Sequence, residues 1–281
     1  MSVTPDQWHR VRDSVPAVLR RLLALVDRAP PDLAVTAEWS VADTLAHLAT
    51  VTAMDVGLVR GTDPDLPVPE FDDLVRTTTV DSLSVMNVEL MGHFTERDVP
   101  ALAARLRADV DTLLAVTEVT GPLAAVTWFG DARLTVAGLL AHLLNELNLH
   151  GWDIARAVGV PWRIDPRDGA LVVDLFLVGM IRCGYGSLLD HDRPARPGRI
   201  SVTFRSDFSP PVTLALVDGR VVVAPLDSRP DVRLSFDPAA FTLMLFGRMS
   251  RLRAALARKV SVGGRRPWLL PAFLSVMRPP S

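Results

Sequence analysis

The chain has 281 residues, 49% hydrophobic and 22% charged, so it can bury a sizeable core and is not a disordered sequence. Its net charge of −2, with no long run of one sign, excludes the basic footprint of a nucleic-acid binder. The single cysteine, Cys183, excludes an internal disulfide and suits a reducing compartment.

The opening residues, MSVTPDQWHRVRDSV, contain no apolar stretch of the kind a secretory signal needs. The apolar run ALVVDLFLVGMI (170–181) is too short to span a bilayer and contains Asp174. The expectation is a soluble cytoplasmic protein with neither a membrane nor a nucleic-acid partner.

In chain order, residues 5–28 read as a helix from the spacing of Trp8, Val11, Val15, Val18, Leu19, Leu22 and Val26, ended by Pro30-Pro31. A second helix opens at Ser40, whose hydroxyl and Asp43 form an S-x-x-D capping box, and runs to about Gly61 with His47 two turns in. Residues 62–72 hold three prolines and four acids and read as a loop, either a lid element or a plain surface connection. A third helical region spans about Val80 to Thr117, with a break near Asp98-Val99-Pro100.

After VTWFGDARL (126–134) comes the segment on which the functional reading turns, TVAGLLAHLLNELNLHGWDIARAVG (135–159). It reads as one amphipathic helix capped by Thr135 and stopped by Gly159 and Pro161. Its start echoes the second helix. SVADTLAHL (40–48) and TVAGLLAHL (135–143) agree at seven of nine positions, counting one Ser/Thr exchange. The echo implies two pseudo-equivalent helix pairs packed as a four-helix bundle over residues 1–160.

Beyond 161 the pattern changes. Asp165-Pro166 starts a helix to about Cys183, and 190–199 read as loop. A strand at 200–207, a hairpin at 212–226 turning on Asp218-Gly219, and a strand at 232–236 follow. Helices at about 237–246 and 251–258 precede an apolar tail. The fold class is therefore α plus α+β, with a helical bundle (1–160) followed by a smaller α+β unit (161–281).

Glu146 and His150 stand four residues apart, about 40° apart in projection, on one helical face. With His47 from the second helix they make a two-histidine, one-carboxylate set that leaves a metal coordination position open, the pattern of a catalytic site. Zinc is the default ion, and nickel or ferrous iron accepts the same ligands. Against this stand plainer roles: His47 as a packed core residue, Glu146 exposed, His150 at the helix end. His142, one turn before Glu146, reads as a substrate contact or core residue rather than a ligand. Asp153 either orients a ligand imidazole or pairs with Arg156. His9, His93 and His191 have no partners at useful spacing, and no G-x-S-x-G, P-loop or dinucleotide-binding glycine pattern is present.

WSVADTLAHL, followed about a hundred residues later by NELNLHGWDIARAVG, resembles the mycothiol-dependent maleylpyruvate isomerase group of the DinB-like four-helix metalloenzymes. The resemblance covers residues 5–160 and implies zinc bound by His47, Glu146 and His150. RPDVRLSFDPAAFTLMLFGRMSRLRAAL resembles the end of a sterol-carrier-protein-2-like (SCP2-like) domain. The acid expected after the glycine near its close is missing, since Val262-Gly263-Gly264-Arg265 stands there. The family's catalytic arginine lies in this second domain, with Arg182, Arg248 and Arg251 as candidates.

The resemblance also implies mycothiol as thiol cosubstrate, held as a thiolate by the metal. The expected activity is S-transfer to a small-molecule electrophile, with cis–trans isomerisation of the maleylpyruvate type as the alternative. A non-catalytic carrier of an apolar ligand is the reading from another class. The expected state is a monomer or homodimer.

Overall fold

The computed structural model describes residues 3–191 and 197–278. The central part of the loop expected at 190–199, residues 192–196, lies outside the described residues.

Two long helices open the chain, α1 (Pro5–Val26) and α2 (Val41–Arg60). Each begins on a capping box. The Thr4 hydroxyl accepts from Gln7 and the Ser40 hydroxyl from Asp43, and each N3 side chain answers the cap's own N–H. α2 ends on Gly61 at φ 67°, in the left-handed region a glycine enters without strain.

Between α2 and the next long helix lie two short ones, α3 (Phe71–Thr77) and α4 (Leu83–His93). The sequence gives little sign of α3, which begins on Glu70 in a left-handed conformation with no side-chain cap. The break expected near residue 98 is real. Asp98 caps α5 (Val99–Thr120) by accepting from the Ala101 N–H, and Pro100 sits in its first turn.

α2 and α5 run in the same direction. Asp43 meets Arg97 at one end, and Thr52 meets Asp109 further along, at a nearly constant offset. Parallel neighbours need a long return connection, which is the work of the segment carrying α3 and α4. A two-stranded hairpin, β1 (Ala125–Thr127) with β2 (Arg133–Thr135), then leads into α6 (Val136–Val158), capped by Thr135 and ended by Gly159 at φ 83°.

α6 is not the one-sided amphipathic helix its sequence suggests. Every residue from Val136 to Gly151 is buried. The face that would meet water in an isolated bundle is covered by the second half of the chain, as an all-buried helix requires. That cover is the helix expected at 166–183, in three stretches: α7 (Pro166–Leu171), a π-helical segment (Val172–Leu177) and α8 (Val178–Cys183). Two glycines of α6 allow the approach. A Cβ on Gly138 would meet the Leu175 carbonyl at 2.8 Å, and one on Gly151 would meet the Trp162 ring at 2.3 Å.

The rest of the chain is a mixed five-stranded sheet with helices. β3 (Arg199–Ser206), β4 (Ser209–Val217), β5 (Arg220–Ala224), β6 (Val232–Phe236) and β7 (Val260–Gly263) lie in the order β5-β4-β3-β6-β7. Only β3 and β6 run parallel, with Val202 opposite Val232. β4 and β5 form the expected hairpin around Asp218-Gly219. The four-residue edge strand β7 falls where no strand was expected. α9 (Pro238–Leu245), capped by Asp237, and α10 (Arg251–Leu256) lie between β6 and β7, and α11 (Leu270–Leu274) forms the tail. Buried apolar side chains from Val11 to Val276 make one contiguous core through both halves. Among the described residues no helix is long and apolar enough to cross a membrane.

Candidate metal centre

α2 and α6 bring His47, Glu146 and His150 together. All three are buried, and one potential ligand atom from each lies within 4.8 Å of the others. His47 Nε2 and His150 Nε2 each stand 3.4 Å from the same carboxylate oxygen, Glu146 Oε2. The two imidazole rings meet edge to face with centroids 5.0 Å apart.

The electrostatics suit a cation. Burial lowers the His47 pKa, helped by the charges of His150 and Arg248 and opposed by Glu146, so the ring stays neutral as a ligand must. Burial alone would raise Glu146, but hydrogen bonding to His150 and His47 and the charge of His142 hold it well below the usual carboxylate range. Asp55, further along α2, is the opposite case. Burial, with the Glu146 charge nearby, pushes its carboxyl well above the ordinary value. The negative charge at this level of the bundle therefore sits on Glu146. A buried carboxylate flanked by two imidazoles is the donor set of an open catalytic site, and these residues fit a divalent ion.

His142 occupies the other side of Glu146. Its Nε2 is 3.7 Å from Oε1, whereas His47 and His150 face Oε2. Its ring packs against both Trp128 and Phe176, with centroids at 4.8 and 4.9 Å, and burial lowers its pKa. Phe176 belongs to the π-helical segment, so the second half of the chain sets the place of this histidine.

Asp153 lies one turn beyond His150, its Oδ2 3.6 Å from His150 Nδ1. The pairing with Arg156 that spacing allowed is replaced by one with Arg248, whose Nε and Nη2 reach the Asp153 carboxylate at 3.2 and 2.8 Å. Arg248 Nη1 donates to the Phe246 carbonyl at 2.7 Å. Gly247 turns the chain left-handed after α9, and the Arg248 N–H returns to the Leu243 carbonyl at 2.7 Å, a Schellman closure that aims this side chain at α6. Of the three candidate arginines only Arg248 reaches the site. Arg182, on the last turn of α8, is exposed, and its charge acts on Asp174. Arg251, the first residue of α10, is exposed as well.

A cavity of about 330 Å³ opens onto the cluster. Sequence reasoning missed most of its wall. Trp39, just before the Ser40 cap, packs against His47 with ring centroids 4.8 Å apart and planes tilted by 40°. The loop carrying it is closed by the Val35 N–H donating to the Trp39 carbonyl and by the Thr36 hydroxyl accepting from the Glu38 and Trp39 N–H groups. Leu83 and Met86 of α4 and Trp128 supply further apolar wall. The tryptophan before the cap was the one available sign. The α4 residues carried none.

The DinB superfamily pattern matches residues 3–154, and the chain belongs to that superfamily. In fold it is similar to a point variant of mycothiol-dependent maleylpyruvate isomerase, at TM-score 0.50 and 12% identity, covering 91% of this chain and 92% of that one. The unsubstituted form of the same enzyme gives TM-score 0.48 at 12% identity over the same shares. No curated protein matches the chain significantly in sequence. The superfamily match covers the helices that carry the histidine–glutamate cluster, and the fold likeness extends through the sheet.

Proposed function

We propose that the protein is a metal-dependent enzyme that uses mycothiol and directs its sulfur to an electrophilic carbon of a second small molecule. The observation that carries this reading is the buried His47–Glu146–His150 cluster at the wall of an open cavity. His47, Glu146 and His150 would hold the metal ion, and the chemistry it would supply is a thiol kept deprotonated at neutral pH. Zinc suits the donor set, and nickel or ferrous iron fits it too.

The chain's own residues do the remaining work. Asp153 fixes the His150 ring from behind and holds Arg248 at the cavity edge, where the guanidinium can orient an oxygen of the substrate. His142 steadies the oxygen of Glu146 that the ligand histidines do not face. Trp39 and Trp128 shield the cluster from bulk water.

Thiol addition to a double bond, rotation and loss of the thiol give cis–trans isomerisation. The fold likeness to an enzyme named for that reaction supports this outcome. Displacement of a leaving group gives S-transfer, which the apolar cavity wall supports. A carrier function has less support: the cavity between α8, β3 and α9, about 20 Å³, has room for about one water and not for a lipid-sized ligand. We propose two units, 1–160 and an SCP2-like 161–281, acting in the cytoplasm as a monomer or homodimer.

The test is incubation of metal-loaded protein with mycothiol and either maleylpyruvate or 1-chloro-2,4-dinitrobenzene, read by mass spectrometry. An isomerised product with the thiol recovered supports isomerisation, and a mycothiol conjugate supports transfer. Turnover that does not depend on the thiol, or that survives in the His47→Ala, His150→Ala double variant, contradicts the proposal.

A further inference from the structure

We infer that the open end of the sheet, where β3, β6 and β7 lie side by side, is a second binding site, for a phosphate monoester with a planar body. A cleft of about 670 Å³ lies there. Among the described residues none lines both this cleft and the cavity at the metal cluster, so the inference does not depend on the proposed function.

Strand register builds the floor of the cleft. Arg205 of β3 stands opposite Ser235 of β6, which stands opposite Ser261 of β7, so the three side chains form a row on one face of the sheet. Further along β3, on the same face, the connection from β5 to β6 (225–231) covers the strands. Ser201 and Thr203 are buried there, the Ser201 hydroxyl donates to Asp227, and the Asp227 N–H donates to the Thr213 hydroxyl. The cover stops short of the next row, where Arg205 and Ser261 are exposed.

The charges favour an oxyanion. Three cations line the cleft, Arg205, Arg258 and Lys259, against two carboxylates, Asp207 and Asp237. Asp237 is committed on both oxygens: Oδ1 accepts from the Ala240 N–H as the cap of α9, and Oδ2 pairs with Lys259 at 3.0 Å. Asp207, exposed on the β3–β4 turn, is the one acid left to oppose an anion. Arg205 and Arg258 make no ion pair among the described residues, so two guanidinium forks remain, the group that matches phosphate oxygens in pairs. The Ser235 and Ser261 hydroxyls add donors, as does that of Ser206, whose oxygen also accepts from the Phe208 N–H at 3.1 Å. Arg258 stands at φ 55°, in the left-handed turn that ends α10, where glycine is the unstrained residue. The turn thus holds strain while it sets a guanidinium at the cleft, as ligand sites do. Phe208, 45% exposed on the β3–β4 turn, offers a flat apolar face to the planar body.

Lys259 is the only lysine in the chain, which gives the site its own reporter. Reductive methylation of the zinc-loaded protein with isotope-labelled formaldehyde marks Lys259 and the N-terminal amine and keeps their charge; the Lys259 signal is the one missing from Lys259→Arg. That signal is followed by NMR during titration with phenyl phosphate, inorganic phosphate and sodium chloride at matched ionic strength, because salt screens exposed charges. Phenyl phosphate is expected to shift it saturably and to bind more tightly than inorganic phosphate, and chloride to give no saturable shift. Arg205→Gln and Arg258→Gly should each weaken phenyl phosphate by about ten-fold. Arg258→Gly should also raise the denaturation midpoint, since glycine takes this turn without strain. Phe208→Ala should bring the two phosphates to equal affinity. Phosphate that binds only at the metal centre leaves the Lys259 signal in place, and an unmoved signal overturns the inference. So does an equal response to chloride, equal affinity of the two phosphates for the wild type, or unchanged binding in both arginine variants.

Discussion

His47 and His142 stand at the same place in the two copies of a nine-residue segment, yet they meet different surroundings. Both are buried, both helices open on a hydroxyl cap with extended backbone, and both rings turn toward Glu146. His47 faces Oε2, in company with His150, and the open cavity lies beside it. His142 lines the same cavity but faces Oε1, with Trp128 and Phe176 against its ring. A repeated helix start thus delivers two equivalent imidazoles to opposite oxygens of one carboxylate. On the proposed reading, the carboxylate oxygen that each ring faces, not the repeat, decides which of them would join a metal.

Both histidines share the Glu146 carboxylate. Glu146→Ala is expected to abolish metal retention, a larger loss than the about 10- to 100-fold that removal of an outer partner costs. Metal analysis of protein purified without added metal checks it, and a full complement in the variant contradicts the shared role.

The next effect lies on the opposite side of α6. Gly151→Ala puts a methyl where the Trp162 ring stands, at 2.3 Å, and overpacking of this kind costs about 1–3 kcal/mol. Denaturant unfolding reads the loss, and an unchanged midpoint means that the second half does not press on α6 as described.

Asp174 sits in the π-helical segment that carries Phe176 to His142. Burial raises its pKa to about 6, against the partly compensating charge of Arg182. The folded state therefore holds this proton at pH values where the unfolded chain has released it. Stability falls as pH rises from about 4 to about 6, and the penalty is fully present above 6. Asp174→Asn should stabilise the protein at pH 8 by on the order of 2 kcal/mol, and the gain should vanish near pH 4. A gain independent of pH contradicts the assignment.

The smallest effects sharpen the two helix starts. Ser40→Ala removes a reciprocal capping box, and Thr135→Ala removes a single bond to the Gly138 N–H. Each should cost about 0.5–2 kcal/mol, with the Ser40 variant the more damaging in thermal unfolding.

The pattern of what could be read in advance follows from range. Caps, long helices and the β4–β5 turn are local, and Ser40, Thr135, Asp98 and Asp218-Gly219 announce them. Glu146 and His150 are one turn apart and could be paired from spacing. His47 joined them through the echo and a family resemblance, since nothing local ties residue 47 to residue 146. Contacts made only by the folded chain left no trace. The Phe176 ring on His142 and the Arg248–Asp153 pair each join distant segments. The burial of α6 on all sides also depends on residues 162–183, so its own sequence reads as amphipathic. α3 and β7 escaped notice because one lacks a side-chain cap and the other is four residues long with an exposed middle.

On the proposed reading the two echoed histidines differ in kind, one a ligand and one a support. Zinc titration of metal-free wild type, His47→Ala and His142→Ala by calorimetry tests it most directly. The account predicts one zinc per chain for wild type and for His142→Ala, with affinity in the latter lowered by about ten-fold, and no measurable high-affinity site in His47→Ala. Loss of the site in His142→Ala with retention in His47→Ala, or equal losses in both, would contradict it.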